Sequence, residues 1–509
     1  MKRACARTSV LVKIIGIAMN AKILAPSLLV LALAISSAQG QTTGITDCDR
    51  LAAAPLDLDR IAKGVPSSLL DHEASLAACR AALEADPENP RLLFQMGRVL
   101  DFSGADDEAA LYYRRAVGHD YTAAYAYLAY QYDNGDGVRE DVAEAVRLSR
   151  IAEGRNDPTA HFNLGVFYKI GRGVEQNPDQ ARQHFEAAAK AGHMHAFTEI
   201  AISEYDEAQS QREFAAVLSK FRRAAQSDFE VSDAMFMVGH MLAHGQGTSR
   251  DALDALEWFR KAVAHGNAEA AFAMGEIYEN YTDYGIAIGG HMEEALIWYR
   301  RAADLGHAGA MNDIGHLYDH GKGIVRDLDE AVRWYSKAAE AGNPTGMSNL
   351  GAAYTFGWGD TEIDYAQGRY WLLRAVDADL AAAKTRLSFI YSNGLGVARD
   401  DVVALRFAKE AAEGGHTEGM CNYGIMLQNG TGVAQDTGEG LRWLEKAAEL
   451  NEPLAFYNLG FTYREGLGVD VDMAKAREWF KRAADAGVAE AKEWLDANPE
   501  PANTIDRAE

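Results

Sequence analysis

Cysteine is scarce in this chain, with four residues in 509, and no two stand at a C-x-x-C spacing. Zinc-knuckle and thioredoxin-type readings therefore have no support. Proline is scarce as well, at 11 residues. That suits short helices joined by tight turns. Basic residues are outnumbered, 50 Lys and Arg against 74 Asp and Glu, for a formal net charge of −24. Nucleic acid and anionic lipid are poor partners for such a surface. No G-x-S-x-G, H-E-x-x-H or Walker pattern occurs, so the enzymes those motifs mark are not indicated.

Apolar residues make up 48% and aromatics 9%, which argues against disorder. The first forty residues read as a secretory signal. Lys2, Arg3, Arg7, Lys13 and Lys22 are positive, no acid precedes Asp47, and Ile23 to Ile35 is apolar. Ser36-Ser37-Ala38 then offers a small-x-small cleavage site. The apolar run is too short to span a bilayer, so residues 1–38 are expected to be removed, with Met1 or Met19 as the start. Losing the five basic residues moves the net charge from −24 to −29. A soluble product in the periplasm or outside the cell is expected, with no stable membrane insertion. In such an oxidising compartment Cys48 and Cys79 are expected to form a disulfide.

The dominant signal is a repeat. Ala308 to Asn343 is its cleanest copy, with Ala310, Ile314, Gly315 and Tyr318 at helical spacing. Gly321 and Gly323 break that helix, and Asp327 is placed to cap a second one carrying Ala331, Trp334, Tyr335, Ala338 and Ala339. A small residue marks the middle of each first helix: Ala129, Gly165, Ala201, Gly239, Gly275, Gly315, Gly351, Ser388, Gly424 and Gly460. Mid-helix glycine costs about 1 kcal/mol against alanine, and close approach of a neighbouring helix is the simplest reason to keep it. Trp258, Trp298, Trp334, Trp371, Trp443 and Trp479 share one phase of the second helix and read as core. The recurring G-x-G, as at Gly171/Gly173 and Gly466/Gly468, reads as a turn and not as a phosphate loop, because no strand precedes it. Three places depart from the pattern. The stretch Met194 to Asp228 lacks the G-x-G turn, residues 281–290 carry an excess, and Trp358 is out of phase with the other tryptophans.

The pattern A-x-x-x-L-G-x-x-Y-x-x-G-x-G-V-x-x-D-x-x-x-A-x-x-W-Y-x-K-A-A-x-x-G resembles the Sel-1-like repeat, a relative of the tetratricopeptide repeat. Leu459-Gly460, Tyr463, Gly466, Gly468-Val469, Asp472, Ala476 and Trp479-Phe480 match it almost fully. The resemblance implies an all-α fold, an α/α superhelical solenoid of stacked helix-turn-helix repeats. Residues 1–38 would be the signal, 39–84 an irregular capping segment, and 85–120 a tetratricopeptide-like helix pair. Residues 121–488 would be Sel-1-like repeats, 489–497 a closing helix and 498–509 a flexible tail. The resemblance also implies an adaptor without shared catalytic residues. Exported bacterial members resemble regulators of envelope signalling and factors in polysaccharide assembly. The alternative is a hydrolase acting on cell-wall or β-lactam-like compounds.

Candidate sites follow from the register. No cofactor or metal is expected. The i, i+4 pairs His240/His244 and His316/His320 offer two ligands each, one short of a catalytic zinc set. His193, His307 and His416 follow the repeat-ending glycine and read as turn residues. Asp251, Asp327, Asp400 and Asp436 read as caps of second helices. A protein partner is expected on the stripe two before, one after and five after the central small residue. That stripe holds Met237, His240, His244, Ala273, Glu276, Asn280, Asp313, His316, His320, Asn349, Ala352 and Phe356, with Trp358 at its rim. It is expected to form a continuous groove floor.

Overall fold

The computed structural model describes residues 44–66, 69–227, 231–280 and 291–499. The expected signal segment, the excess at 281–290 and the tail beyond residue 499 lie outside the described residues. Among the described residues there are 25 helices and no strand, arranged mostly as antiparallel pairs. The chain divides into two compact units, residues 1–291 and 292–509. Successive pairs stack within each unit, so the all-α repeat architecture is the one observed.

Local chemistry fixes each pair. His307 caps the helix Ala308–His320, its Nδ1 accepting from the Ala310 amide at 2.9 Å. Gly321, with φ +64, ends that helix in the left-handed region that glycine enters freely. The chain then turns, and the Asp327 amide donates back to the Tyr318 carbonyl at 2.9 Å. Asp327 caps the second helix, Leu328–Glu340, by accepting from the Asp329 and Glu330 amides. Gly323 serves a different purpose from Gly321. A Cβ there would sit 2.0 Å from Cγ of Met292, on the second helix of the preceding repeat. The G-x-G is therefore one helix stop and one close approach between repeats.

The central glycine is explained in the same way. A Cβ on Gly315 would fall 2.8 Å from the Tyr335 ring. Gly165 faces Phe185, Gly239 faces Phe259 and Gly460 faces Phe480 at 2.6 to 2.7 Å. The tryptophan assignment needs correction. Tyr335 is 1% exposed, as are its counterparts Phe259 and Tyr299, whereas Trp334 is half-buried. The residue after the tryptophan fills the core, and the tryptophan closes its edge, except that Trp258, 9% exposed, is itself buried as expected. A basic residue three positions on then covers the ring: Lys261 over Trp258 at 4.1 Å, Lys337 over Trp334 at 3.9 Å, Lys446 over Trp443 at 4.6 Å.

The stretch that lacks G-x-G still folds as a pair, Met194–Glu207 and Gln211–Ala225. A capping box on Ser210 and Glu213 starts its second helix in place of the usual aspartate. At the N-terminus, residues 44–66 cover the first pair. Cys48 is joined to Cys79. Buried Asp49 meets Arg91 Nε at 2.7 Å and Gln95 Nε2 at 3.0 Å. Arg98, 1% exposed, donates to the carbonyls of Ala52, Ala53 and Val65.

The three histidines read as turn residues are N-caps instead. His193 Nδ1 accepts from the Ala196 amide at 3.3 Å and His416 Nδ1 from the Gly419 amide at 3.2 Å, as His307 does in its repeat. Only a neutral imidazole can accept, and burial pushes the His193 pKa down to about 3. In the unfolded chain it is near 6.5. The contribution of His193 is thus complete above about pH 6.5 and is lost as pH falls toward 3. Asp101 and Asp157, raised to about 7 by burial, act in the opposite direction. The comparison that isolates the histidine is His193→Asn, since Asn267 and Asn343 cap the same position elsewhere. Relative to the parent, the variant is expected to gain stability as pH falls from about 6 to 4, by on the order of 1 kcal/mol per pH unit. Urea unfolding of both proteins across that range measures it, and a constant difference would refute the assignment.

Candidate functional site

The candidate stripe falls into one set on each unit. In the first unit, Met237, His240 and His244 lie on Ser232–His244, and Glu276 lies on Ala268–Glu279 with Asn280 at its C-cap. His244, Glu276 and Asn280 are exposed, while Met237 and His240 are half-buried. The His244 ring lies tilted against that of His240 at 4.3 Å, and its Nδ1 lies 2.9 Å from the His240 carbonyl. His240 also meets the Tyr205 ring edge-on at 6.1 Å.

In the second unit the set is richer. His316 and His320 stack at 4.1 Å and both are exposed. Beside them a polar ladder crosses three successive first helices, Ala308–His320, Pro344–Phe356 and Ala381–Asn393. Asn312 donates to Asp313 at 3.1 Å, and Asn349 donates to Asn312 at 3.1 Å. Arg386 NH1 donates to Ser348 Oγ at 2.6 Å and to Asn349 Oδ1 at 3.3 Å. Burial pulls the Arg386 pKa down, and the charge of Glu418 opposes that shift. Next to the ladder Phe356 and Phe389, 48% and 44% exposed, pack ring to ring at 5.7 Å.

One expectation is corrected here. Ala352 is 1% exposed and belongs to the core. Trp358 is half-buried. The turn at Gly357 and Gly359 folds it back until its ring lies 6.2 Å from that of buried Tyr335, in the preceding repeat. Within the stripe, two of the residues two before the centre, Asn349 and Arg386, are spent on bonds between repeats. The positions five after it, His244, Asn280, His320 and Phe356, are exposed, as are Glu276, His316 and Phe389 one after it. Arg386 and Phe389 were missed by the sequence reading. The same offsets, carried one repeat further around Ser388, name both of them.

The chemistry of these positions is that of a binding surface: flat aromatic area, stacked imidazoles, and amide and guanidinium groups already oriented by their neighbours. Cys421, the one free cysteine among the described residues, is 1% exposed, and burial pushes its thiol up to about 12. It is a protonated core side chain at neutral pH. No helix among the described residues is long and apolar enough to cross a membrane.

Comparison with known proteins agrees with this geometry. The Sel1 repeat model matches residues 122–153, 158–193, 232–267, 268–307, 308–343, 344–380, 381–416, 417–452 and 453–488. The exopolysaccharide production negative regulator of Rhizobium meliloti is 29% identical over 216 residues, 39% of this chain and 66% of that protein. Chitin synthase regulatory factor 3 of Schizosaccharomyces pombe is 27% identical over 169 residues, 32% of this chain and 18% of that protein. The chain thus spans less than two thirds of the length of either relative. Among solved structures, c5321, a protective antigen of uropathogenic Escherichia coli with an SLR fold, is 25% identical with a TM-score of 0.52. That alignment covers 83% of this chain and 91% of the antigen. The unmatched stretch between residues 193 and 232 is the pair that lacks the G-x-G turn. With the repeat found nine times over, across well over half of the chain, the chain belongs to the Sel1 repeat family.

Proposed function

We propose that this chain is an exported adaptor that holds a protein partner on the exposed face of its first helices and so regulates an envelope signalling or polysaccharide assembly process. The observation that carries the reading is the second-unit face. Exposed Phe356 and Phe389 stand beside a ladder of oriented polar side chains, on helices fixed by core packing. Paired, partly buried aromatics next to preorganised polar groups are the usual anchors of protein interfaces. The regulatory names of the rhizobial and yeast relatives favour a regulatory role over a catalytic one. The basic and apolar N-terminal segment and the Cys48–Cys79 disulfide favour export.

The test is capture of a partner from an envelope extract by the parent chain, followed by Phe356→Ser with Phe389→Ser. Both side chains are about half exposed, so the fold is expected to hold. Losing two anchors is expected to weaken the captured complex by about 2 kcal/mol or more, roughly thirty-fold. Unchanged affinity with an unchanged melting temperature would move the site off this face.

A further inference from the structure

We propose that Glu153, His161 and His184 form a binding site for one divalent transition-metal ion, zinc above all, that ties one repeat to the next. The three residues come from three helices. Glu153 ends Val142–Glu153, His161 lies one turn into Pro158–Ile170, and His184 is on Pro178–Lys190. Their ligand atoms all lie within 4.8 Å of one another. His161 Nδ1 and His184 Nδ1 are 3.4 Å apart, and His184 Nδ1 is 3.6 Å from Glu153 Oε1. Two ligands at zinc distances of about 2.0–2.1 Å in a tetrahedron are separated by ~3.4 Å. The two measured separations already fit that figure, and only a small shift of one side chain closes the set.

The surroundings suit such an ion. The His184 side chain is 16% exposed and that of Glu153 is 34% exposed, so the site is partly desolvated but reachable. The Tyr168 ring lies parallel to His184 at 5.4 Å and fixes its plane, while Arg150 NH2 lies 3.5 Å from the Tyr168 hydroxyl. Burial lowers the pKa of both imidazoles, which favours the neutral form that binds metal. Two imidazoles and one carboxylate select zinc and its first-row neighbours over calcium or magnesium, which take oxygen ligands. Three protein ligands leave a fourth position open to water or to a group from a partner. No linear motif announces the set, because His161 comes eight positions after Glu153 and His184 another 23 positions on.

The experiment is calorimetric titration of the full chain, stripped with a chelator, with Zn2+ alone. One equivalent is expected to bind and to raise the melting temperature, as any ligand selective for the native state does. His184→Asn and Glu153→Gln are each expected to weaken binding at least ~10-fold, the loss that even an outer-shell change brings. The control His244→Ala with His320→Ala is expected to leave that event unchanged. Co2+ in place of Zn2+ is expected to give the visible absorption of a tetrahedral ion, lost in both site variants. Should His184→Asn fail to fold, Glu153→Gln, at a partly exposed helix end, carries the test. Absence of saturable binding, or binding indifferent to these substitutions, overturns the proposal.

Discussion

Tyr335→Ala is expected to destabilise the protein by roughly 3–5 kcal/mol, as large-to-small changes at fully buried rings do. The neighbouring substitution Trp334→Ala is expected to cost clearly less, although it removes more atoms. Tyr335 is 1% exposed and lies against the face of Gly315, where a Cβ would come within 2.8 Å of its ring. Removing it opens a cavity between the two helices of its own repeat. Trp334 is half-buried under Lys337, and water and the lysine stem can take its place. Gly315→Leu approaches the same contact from the other side and is expected to cost about 1–3 kcal/mol by overpacking. Urea unfolding monitored by circular dichroism measures all three. Equal costs for the tyrosine and tryptophan variants would show that the core has been assigned to the wrong side chain.

Arg98→Ala is expected to release the N-terminal segment. The guanidinium donates to the carbonyls of Ala52, Ala53 and Val65, and Ala52 and Ala53 are fully buried. A buried acceptor left without its donor costs about 1–3 kcal/mol, so the substitution is expected to cost several kcal/mol at this end of the array. Arg98→Lys is expected to recover only part of that loss, because one ammonium cannot reproduce the planar fork that reaches three oxygens. Limited proteolysis reports the effect directly. Cleavage between residues 53 and 66 should appear in the alanine variant, while the Cys48–Cys79 bond keeps the cut segment attached. Protection equal to that of the parent would assign the stability of the segment to the disulfide alone.

The repeats were legible because their signals are local and recur. The glycine that stops a helix and the aspartate that caps the next each act within a few residues, and the glycine under the aromatic ring recurs at a constant phase. Trp334 and Tyr335 are adjacent, and periodicity alone does not say which of two neighbouring aromatics takes the core. The packing against Gly315 decides it, and that is a tertiary fact. The N-terminal cover was not legible for the same reason. Its bonds run from Arg98 to residues 45 and 46 positions earlier, with no period to betray them. The ladder through Asn312, Asn349 and Arg386 is likewise a contact between repeats, which the sequence shows only once the register is carried across all of them.

The backbone bond that closes each turn has a consequence for how such a chain can change over generations. Asp327 reaches back to Tyr318 across six residues of turn, and Asp364 reaches back to Tyr354 with one residue more, yet both bonds measure 2.9 Å. The surplus residue is taken up in the turn and the helices on either side keep their lengths of 13. A one-residue insertion at this place therefore leaves every later repeat in frame. Because each copy closes its own backbone hydrogen bonds, a whole copy can be duplicated or deleted without leaving a neighbour's backbone unsatisfied. Such an array is free to vary its reach in steps of one repeat while single-residue slips stay confined to the turns, so lineages carrying it can differ in length long before they differ in fold.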